Sequence, residues 1–392
     1  MKKILAIVQF LVFGIIVSTC GQKEIRPEIT VASVNISPSS VNISVGETVQ
    51  LLANVQPESA SGLSVVWASS NESVATVTNS GIVTAISNGE AFITATVGGK
   101  TASGSVIVSA GFFVQFEDDN FKAYCVKQFD TNHDGEISTI EASKVTRLEI
   151  QKRSIVSLKG IEFFTSLEHL SCYKNEFMVL DVSKNTALKT LDCSQTDLAS
   201  LDVSKNAALT ALTCSSTLLT SLDVSKNTAL TFLDCSKNQL MSLDVSKNTA
   251  LTILSCFSTQ LTTLDLSKNT LLEELYCMSN DLTSLDVSKN TALKDLSCSY
   301  NNLMSLDVSK NTALVHLSCC NNGLTSLDVS KNTALFNLQC YDNKLTSLDV
   351  SFNKGLRYLS CGNQPSLKEI WLSLGQSIPH FEHDSWAVIK YK

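Results

Sequence analysis

Leu230-Thr231-Phe232-Leu233-Asp234-Cys235-Ser236-Lys237-Asn238-Gln239-Leu240-Met241-Ser242-Leu243-Asp244-Val245-Ser246-Lys247-Asn248-Thr249-Ala250 is one period of a strict repeat. Its cysteine returns every 21 residues, at Cys172, Cys193, Cys214, Cys235, Cys256, Cys277, Cys298, Cys319, Cys340 and Cys361. A fixed period of this size means stacked coils, each unable to bury its apolar edge alone. More than half of the chain is therefore expected to be a solenoid, an architecture that offers long surfaces and suits binding better than catalysis.

The period has two halves, Leu230, Leu233, Cys235, Asn238 and Leu240, Leu243, Val245, Asn248, and both fit L-x-x-L-x-L-x-x-N. This pattern resembles the leucine-rich-repeat family, in its bacterial 21-residue class. The resemblance runs over about residues 145 to 372, with a first, slightly longer coil at Val145, Leu148 and Ile150. Each L-x-C and L-x-V triplet is expected to alternate inward and outward as a short strand, with neighbouring coils paired in parallel at ~4.8 Å. Asn185, Asn206, Asn227, Asn248, Asn269, Asn290, Asn311, Asn332 and Asn353 fall where the chain turns, where amides can satisfy buried backbone groups.

A column of cysteines pointing one way offers neither the converging tetrahedron of a zinc site nor disulfide partners. These residues read as reduced thiols that fill space as small apolar groups. Cys320, next to inward Cys319, is expected to face out. In the second half, Asp181, Asp202, Asp223, Asp244, Asp265, Asp286, Asp307, Asp328 and Asp349 form one column. Lys184, Lys205, Lys226, Lys247, Lys268, Lys289, Lys310 and Lys331 form another. The expected arrangement is an outer face on which each aspartate accepts from turn groups three residues on and lysine balances its charge.

The outward positions of the first half vary. Phe257, Tyr276, Met278, Tyr300 and Tyr341 stand among serines there, with Phe232, His316 and Tyr358 in a neighbouring column. A varied, partly aromatic face is where a ligand could be read, and drift on an unconstrained surface is the alternative. Phe257, Tyr276, Met278, Tyr300 and Tyr341 are the candidate ligand-binding residues, for a protein or a glycan.

Lys2 and Lys3 precede an apolar run from Ile4 to Val17 that ends Val17-Ser18-Thr19-Cys20, which reads as an export signal over residues 1–19. Its end resembles a lipobox, and that resemblance implies a lipid on Cys20, although Thr19 departs from the usual small residue. Gly21-Gln22-Lys23-Glu24, within a linker over 20–29, looks like the tract that sends lipoproteins of the Bacteroidetes to the cell surface. The implied location is the outer membrane, lipid-anchored and surface-exposed, with the membrane touched only through that lipid. Net charge is −7, or −9 once Lys2 and Lys3 are removed, and no basic stretch is interleaved with aromatics, so nucleic acid is not an expected partner.

Residues 30–109 hold short alternating runs of Val, Ile, Thr and Ser between turn signals, the pattern of a small all-β sandwich. Val45-Gly46-Glu47-Thr48, Val66-Trp67-Ala68-Ser69-Ser70-Asn71, Val74-Ala75-Thr76-Val77 and Gly81-Ile82-Val83-Thr84-Ala85 resemble the bacterial immunoglobulin-like domain, group 2. The resemblance implies a spacer, with Trp67 in the core.

Between these parts, in 110–147, Asp130-Thr131-Asn132-His133-Asp134-Gly135-Glu136-Ile137-Ser138-Thr139-Ile140-Glu141 fits D-x-[DN]-x-[DN]-G-x5-E at every fixed position. This resembles an EF-hand calcium loop. Ca2+ would take side-chain oxygens of Asp130, Asn132 and Asp134, the backbone carbonyl of Glu136, Ser138, and both oxygens of Glu141. Asp118 or Asp119 is expected to cap a helix carrying Phe121, Cys125 and Phe129, and a second helix is expected from Thr139. Ile137 should tuck inward and His133 face solvent. With no second loop, the site reads as a structural clip joining sandwich to solenoid and not as a sensor.

The fold class expected is multidomain: an all-β immunoglobulin-like sandwich, a short helical EF-hand-like junction, a leucine-rich-repeat solenoid with parallel strands over 148–372, and a cap over 373–392 carrying Trp386. No nucleophile elbow, Cys-x-x-Cys, phosphate-cradling glycine loop or H-E-x-x-H is present, and the five histidines are scattered. The sequence therefore points to a non-enzymatic surface lipoprotein that recognises a ligand through its repeats, with a structural or accessory subunit of a surface complex as the alternative.

Overall fold

The computed structural model describes residues 29–109 and 111–392. The proposed signal and Cys20 lie outside these. The chain forms two compact units, the second running from Gly111 to Lys392.

The first unit is built of nine short strands in three antiparallel or mixed sheets. Gly89–Val97 and Lys100–Ser109 form its long hairpin, with Val66–Ser69 on one edge and Ser40–Ser44 on the other. Alternate residues Ala91, Ile93, Ala95 and Val97, with Val106 and Val108, face a core that also takes Val34, Ile36, Leu51 and Val83. Trp67 packs against this core, half-buried. Gly81, at φ +83°, lets the chain pass close to it: a Cβ there would sit 2.9 Å from the indole and 2.5 Å from the Leu51 carbonyl oxygen.

The second unit is the solenoid. Its main sheet has 12 parallel strands: Arg147–Glu149, His169–Ser171, Thr190–Asp192, Ala211–Thr213, Phe232–Asp234, Ile253–Ser255, Glu274–Tyr276, Asp295–Ser297, His316–Ser318, Asn337–Gln339, Tyr358–Ser360 and His380–Glu382. The middle residue of each is inward, and Leu148 pairs with Leu170, Leu170 with Leu191, and so on along the stack. From Leu170 to Leu359 the cysteine two residues beyond each middle leucine is fully buried, and Ile150 takes that place in the first coil. Burial pushes the thiols far up, with that of Cys193 at about 12. Cys235 Sγ points at the Ser255 carbonyl of the next coil, 3.6 Å away, so the column stands as single thiols and all twelve cysteines of the described residues are free.

The second half departs from expectation. Leu180 and Val182 do point inward, but the L-x-V triplets form no continuous ladder. Pairing there is confined to isolated bridges such as Asp181 to Asp202, and to a three-stranded sheet of Ser347–Asp349, Glu369–Leu372 and Val388–Tyr391. Asp244 Oδ1 accepts the N–H of Ser246, two residues on and not three, at 2.8 Å, and a turn from Asn248 N–H to the Val245 carbonyl follows at once. The same aspartate-to-serine bond stands beside intact ladder pairing at Asp192, Asp234 and Asp349, so it shapes the turn without excluding a strand. Residues 373–392, expected as a cap, extend both ladders by a further coil.

Two asparagine columns hold the turns. Asn238 Nδ2 donates to the carbonyls of Cys214 and Cys235, and its Oδ1 accepts from Thr217 Oγ1 and Leu219 N–H. Asn248 Nδ2 donates to the carbonyls of Val224 and Asn227, while its Oδ1 is buried without a partner, as in eight further asparagines of that column.

Helix α1 (Asp119–Phe129) and helix α2 (Thr139–Lys144) open the second unit. Asp118 caps α1 through Phe121 N–H at 2.8 Å, and its other oxygen accepts Val156 N–H of the first coil. Phe121, Cys125, Ile137 and Ala142 join one continuous core with Leu148, Ile150 and Phe164. The helical segment is thus the N-terminal cover of the solenoid's apolar end.

Candidate functional site

The strands of the solenoid place four columns of side chains on one face: the residues before and after each inward leucine, and the two after each cysteine. Half-burial on both sides of a buried centre is the rule for these strands. The second residue after each cysteine sits at positive φ, between 51° and 57° from Lys174 to Asn363, which lifts its side chain out of the stack.

Phe257 is half-buried, with Lys237 Nζ 5.6 Å from its ring centroid. Tyr276 donates its hydroxyl to Glu274 Oε2 at 2.9 Å. Its phenol is pushed well above the ordinary value by burial, then by that bond and by Asp295. Met278 Sδ lies 3.7 Å from Ser297 Oγ. Tyr300 is exposed, at φ 55°. Tyr341 is half-buried and its phenol is raised, first by a hydrogen bond with Tyr300. The five residues therefore occupy one face as two groups, Phe257, Tyr276 and Met278 on earlier coils and Tyr300 with Tyr341 on later ones.

Cys320 does not face out. It is 1% exposed, its N–H donates to Ser299 Oγ at 2.9 Å, and Sγ is 3.9 Å from Ser318 Oγ. The position after each cysteine is overlapped by the neighbouring coil, so Ser194, Ser236, Ser299 and Cys320 are covered, while Ser215, Gly362 and the bulky residues there are partly exposed.

A feature not read from the sequence is a run of rings on the last coils. His316 meets Phe336 at 6.2 Å, Phe336 meets Tyr358 at 5.5 Å, and Tyr358 stacks on His380 at 4.4 Å with 2° between planes. Phe336 stands one residue before the strand and His380 lies in the coil expected as a cap, so neither shared a column with the others. Aligning the tail with the repeat at a 22-residue step would have shown it.

In the acidic loop, Asp130 accepts N–H groups of Asp134 and Gly135 at 3.3 and 2.9 Å, Asn132 Oδ1 accepts Asp134 N–H at 3.1 Å, and Asp134 Oδ1 accepts Glu136 N–H at 2.9 Å. Gly135 takes φ +84° to close the bend. Burial acts to raise the Asp130 carboxyl, and the N–H groups of Gly135, His133 and Asp134 outweigh it and lower it. Ile137 is buried and His133 exposed. Glu141 is turned elsewhere: Oε1 accepts from Thr131 and Oε2 from the N–H and hydroxyl of Ser138, while Glu136 pairs with Lys122 at 2.7 Å. Among the described residues no three acidic, histidine or cysteine side chains converge as a metal site. The oxygen donors suit a hard cation in kind, and three of them curl within one exposed loop, with Glu141 held outside that group.

Comparison with known proteins separates the two units. Residues 30–108 match the family model of the bacterial Ig-like domain (group 2). The functional domain of InlJ from Listeria monocytogenes, a structure described as including a cysteine ladder, is similar to this chain at 33% identity with a TM-score of 0.60, over 70% of this chain and 71% of that one. The chain belongs to the leucine-rich-repeat family of internalin J. The leucine-rich effector YopM of Yersinia pestis shares the fold, at 18% identity and a TM-score of 0.50, over 66% of this chain and 77% of that one.

Internalin J of Listeria monocytogenes serotype 4b is 36% identical over 71 residues, and lacto-N-biosidase of Bifidobacterium bifidum is 40% identical over 82, which are 18% and 21% of this chain. The chain covers only 8% and 7% of those relatives. The glycosidase match is confined to the Ig-like segment.

Proposed function

We propose that this internalin-J-like protein is a surface recognition or adhesion protein that binds a protein ligand through the main ladder of its solenoid. The observation that carries the reading is the contrast between two surfaces of one repeat. The ladder face changes from coil to coil and gathers Phe257, Tyr276, Met278, Tyr300 and Tyr341, while the other repeats an aspartate and its serine turn. Uniform positions serve the stack, and variable aromatic ones supply binding anchors. The Ig-like unit serves as a spacer. A lipid on Cys20 would hold the chain at the outer membrane, and a glycan remains the competing ligand.

Calcium belongs to the same reading, held by Asp130, Asn132, Asp134, the Glu136 carbonyl, Ser138 and Glu141. Its role would be to stiffen the helical cover of the solenoid. The loop's inward-curling acceptors support this, and Glu141 would have to exchange its present donors for the ion.

The test is capture of solubilised cell-surface proteins by the purified protein. Tyr276→Ala with Phe257→Ala is expected to weaken capture far more than Asp244→Ala with Asp265→Ala. Equal losses from both pairs would remove the ladder face from the reading, and a glycan array that binds where proteins do not would change the ligand class.

A further inference from the structure

The ring run on the last coils crosses four strands of an open sheet face. Phe336 and Tyr358 remain 41% and 42% exposed. Tyr358 has His380 against it on the side of the following coil and Phe336 on the side of the preceding one. Its ring therefore meets solvent by its edge and hydroxyl, and does not offer an open flat face on which a sugar ring could lie. A ridge of ring edges suits apolar side chains laid along it.

At the head of the ridge the same column turns acidic. Glu274 is the ladder partner of Asp295, and Asp295 is the partner of His316. Neither carboxyl is paired with a lysine or arginine among the described residues, since Lys294 is held by Glu273 at 2.5 Å. Burial raises the Asp295 carboxyl, His316 opposes that, Glu274 adds to it, and the Tyr276 hydroxyl, which also donates to Glu274, lowers it. Two carboxyls stacked on adjacent strands repel, and a cation placed between them would relieve the repulsion.

We propose that the ridge His316, Phe336, Tyr358 and His380 and the carboxyl pair Glu274 and Asp295 form one docking site for a protein segment presenting a basic side chain beside apolar ones. The basic group sets register at the carboxyl pair, with arginine favoured because its planar fork can bond both, and the apolar residues pack along the rings. The site rests on the reading of the ladder face as the binding face and narrows its ligand.

The test pans a phage-displayed random peptide library against the purified protein. Enriched peptides are expected to carry arginine or lysine next to leucine, phenylalanine or tryptophan. Their affinity is expected to fall at least about tenfold with Phe336→Ala plus Tyr358→Ala, and similarly with Glu274→Gln plus Asp295→Asn. Thermal unfolding should be little changed in both, because the substituted groups are outward. Replacing the peptide's basic residue by glutamate should abolish binding to the wild type.

Enrichment without basic residues, or peptides indifferent to both variant pairs, overturns the site. If such peptides are lost with Phe232→Ala plus Phe257→Ala instead, the ladder face still binds and only this subsite fails. If no ladder-face variant matters, or no peptide is enriched, both readings fail. A glycan captured from an array and released by the ring variants would overturn the protein occupant.

Discussion

Glu141 Oε1 accepts two hydrogen bonds from Thr131, one from its N–H and one from its hydroxyl, each at 2.8 Å. With Oε2 on Ser138, this carboxylate ties the start of the acidic loop to the cap of α2. It therefore has a structural task independent of any ion.

Glu141→Ala is expected to destabilise the solenoid unit even in chelator, by about 2–3 kcal/mol, through loss of the capping box and the Thr131 bonds. Calcium should raise the melting temperature of the wild type, with affinity on the order of 10⁻⁵ to 10⁻³ M, and should do nothing for the variant. Asp130→Asn with Asp134→Asn separates the roles, since it should remove the calcium response and keep the Glu141 bonds. Identical melting curves of the wild type in calcium and in chelator would sink the ion's structural role.

Asn248→Ala removes two donated bonds inside the stack. The carbonyls of Val224 and Asn227 each keep a backbone donor, from Asn227 and Leu230 respectively, so neither is left bare. The cost should be about 2–3 kcal/mol, including the space left behind, and not the larger penalty of two orphaned acceptors. Asn238→Ala should cost more. It also orphans the Leu219 N–H, whose acceptor is Asn238 Oδ1. Denaturant unfolding compares the two, and a reversed order would show that the second column matters more than its bonding suggests.

The twelve cysteines of the described residues should be silent to thiol reagents at neutral pH in the native protein. Every cysteine of the described residues is buried, and burial raises each thiol, so little thiolate forms and little is reached. Denaturation should expose all twelve. Rapid labelling of Cys320 in the folded state would restore the outward placement that its sequence position suggested.

The solenoid was legible because its period is rigid: Leu233 and Cys235 recur, and recurrence dictates which way each points. What the period did not carry was competition between side chain and backbone. Asp244 captures Ser246 N–H two residues on, where the pattern alone suggested turn groups three residues on. Nor does a period show how far coils overlap, which is why Cys320 is covered. The candidate face was only partly readable for a similar reason. Tyr276 and Phe257 stand in aligned columns, whereas the ridge joins Phe336 from one column to Tyr358 and His380 from another, and only packing brings them together.

The aspartate column should make the solenoid acid-sensitive. For Asp202, Asp223, Asp244, Asp265, Asp286 and Asp307, the serine N–H two residues on holds the carboxyl below its ordinary value of 3.8, helped by the serine hydroxyl. A carboxyl lowered in the folded state releases its proton more readily there than in the unfolded chain. Its contribution is therefore complete above the ordinary value and is lost as pH falls through the lowered one. Stability measured by denaturant should be level from neutral pH down to about 5 and then fall steeply below about 4. Asp244→Asn keeps an acceptor for Ser246 but not its charge, so the variant should be less stable than the wild type at pH 7 and should converge with it once pH has fallen through the lowered carboxyl value. The six sites repeat one geometry, so combining such substitutions should flatten the acid limb in proportion. A wild-type profile that stays level to pH 2.5, or a variant gap that widens in acid, would show that these bonds do not set the acid response.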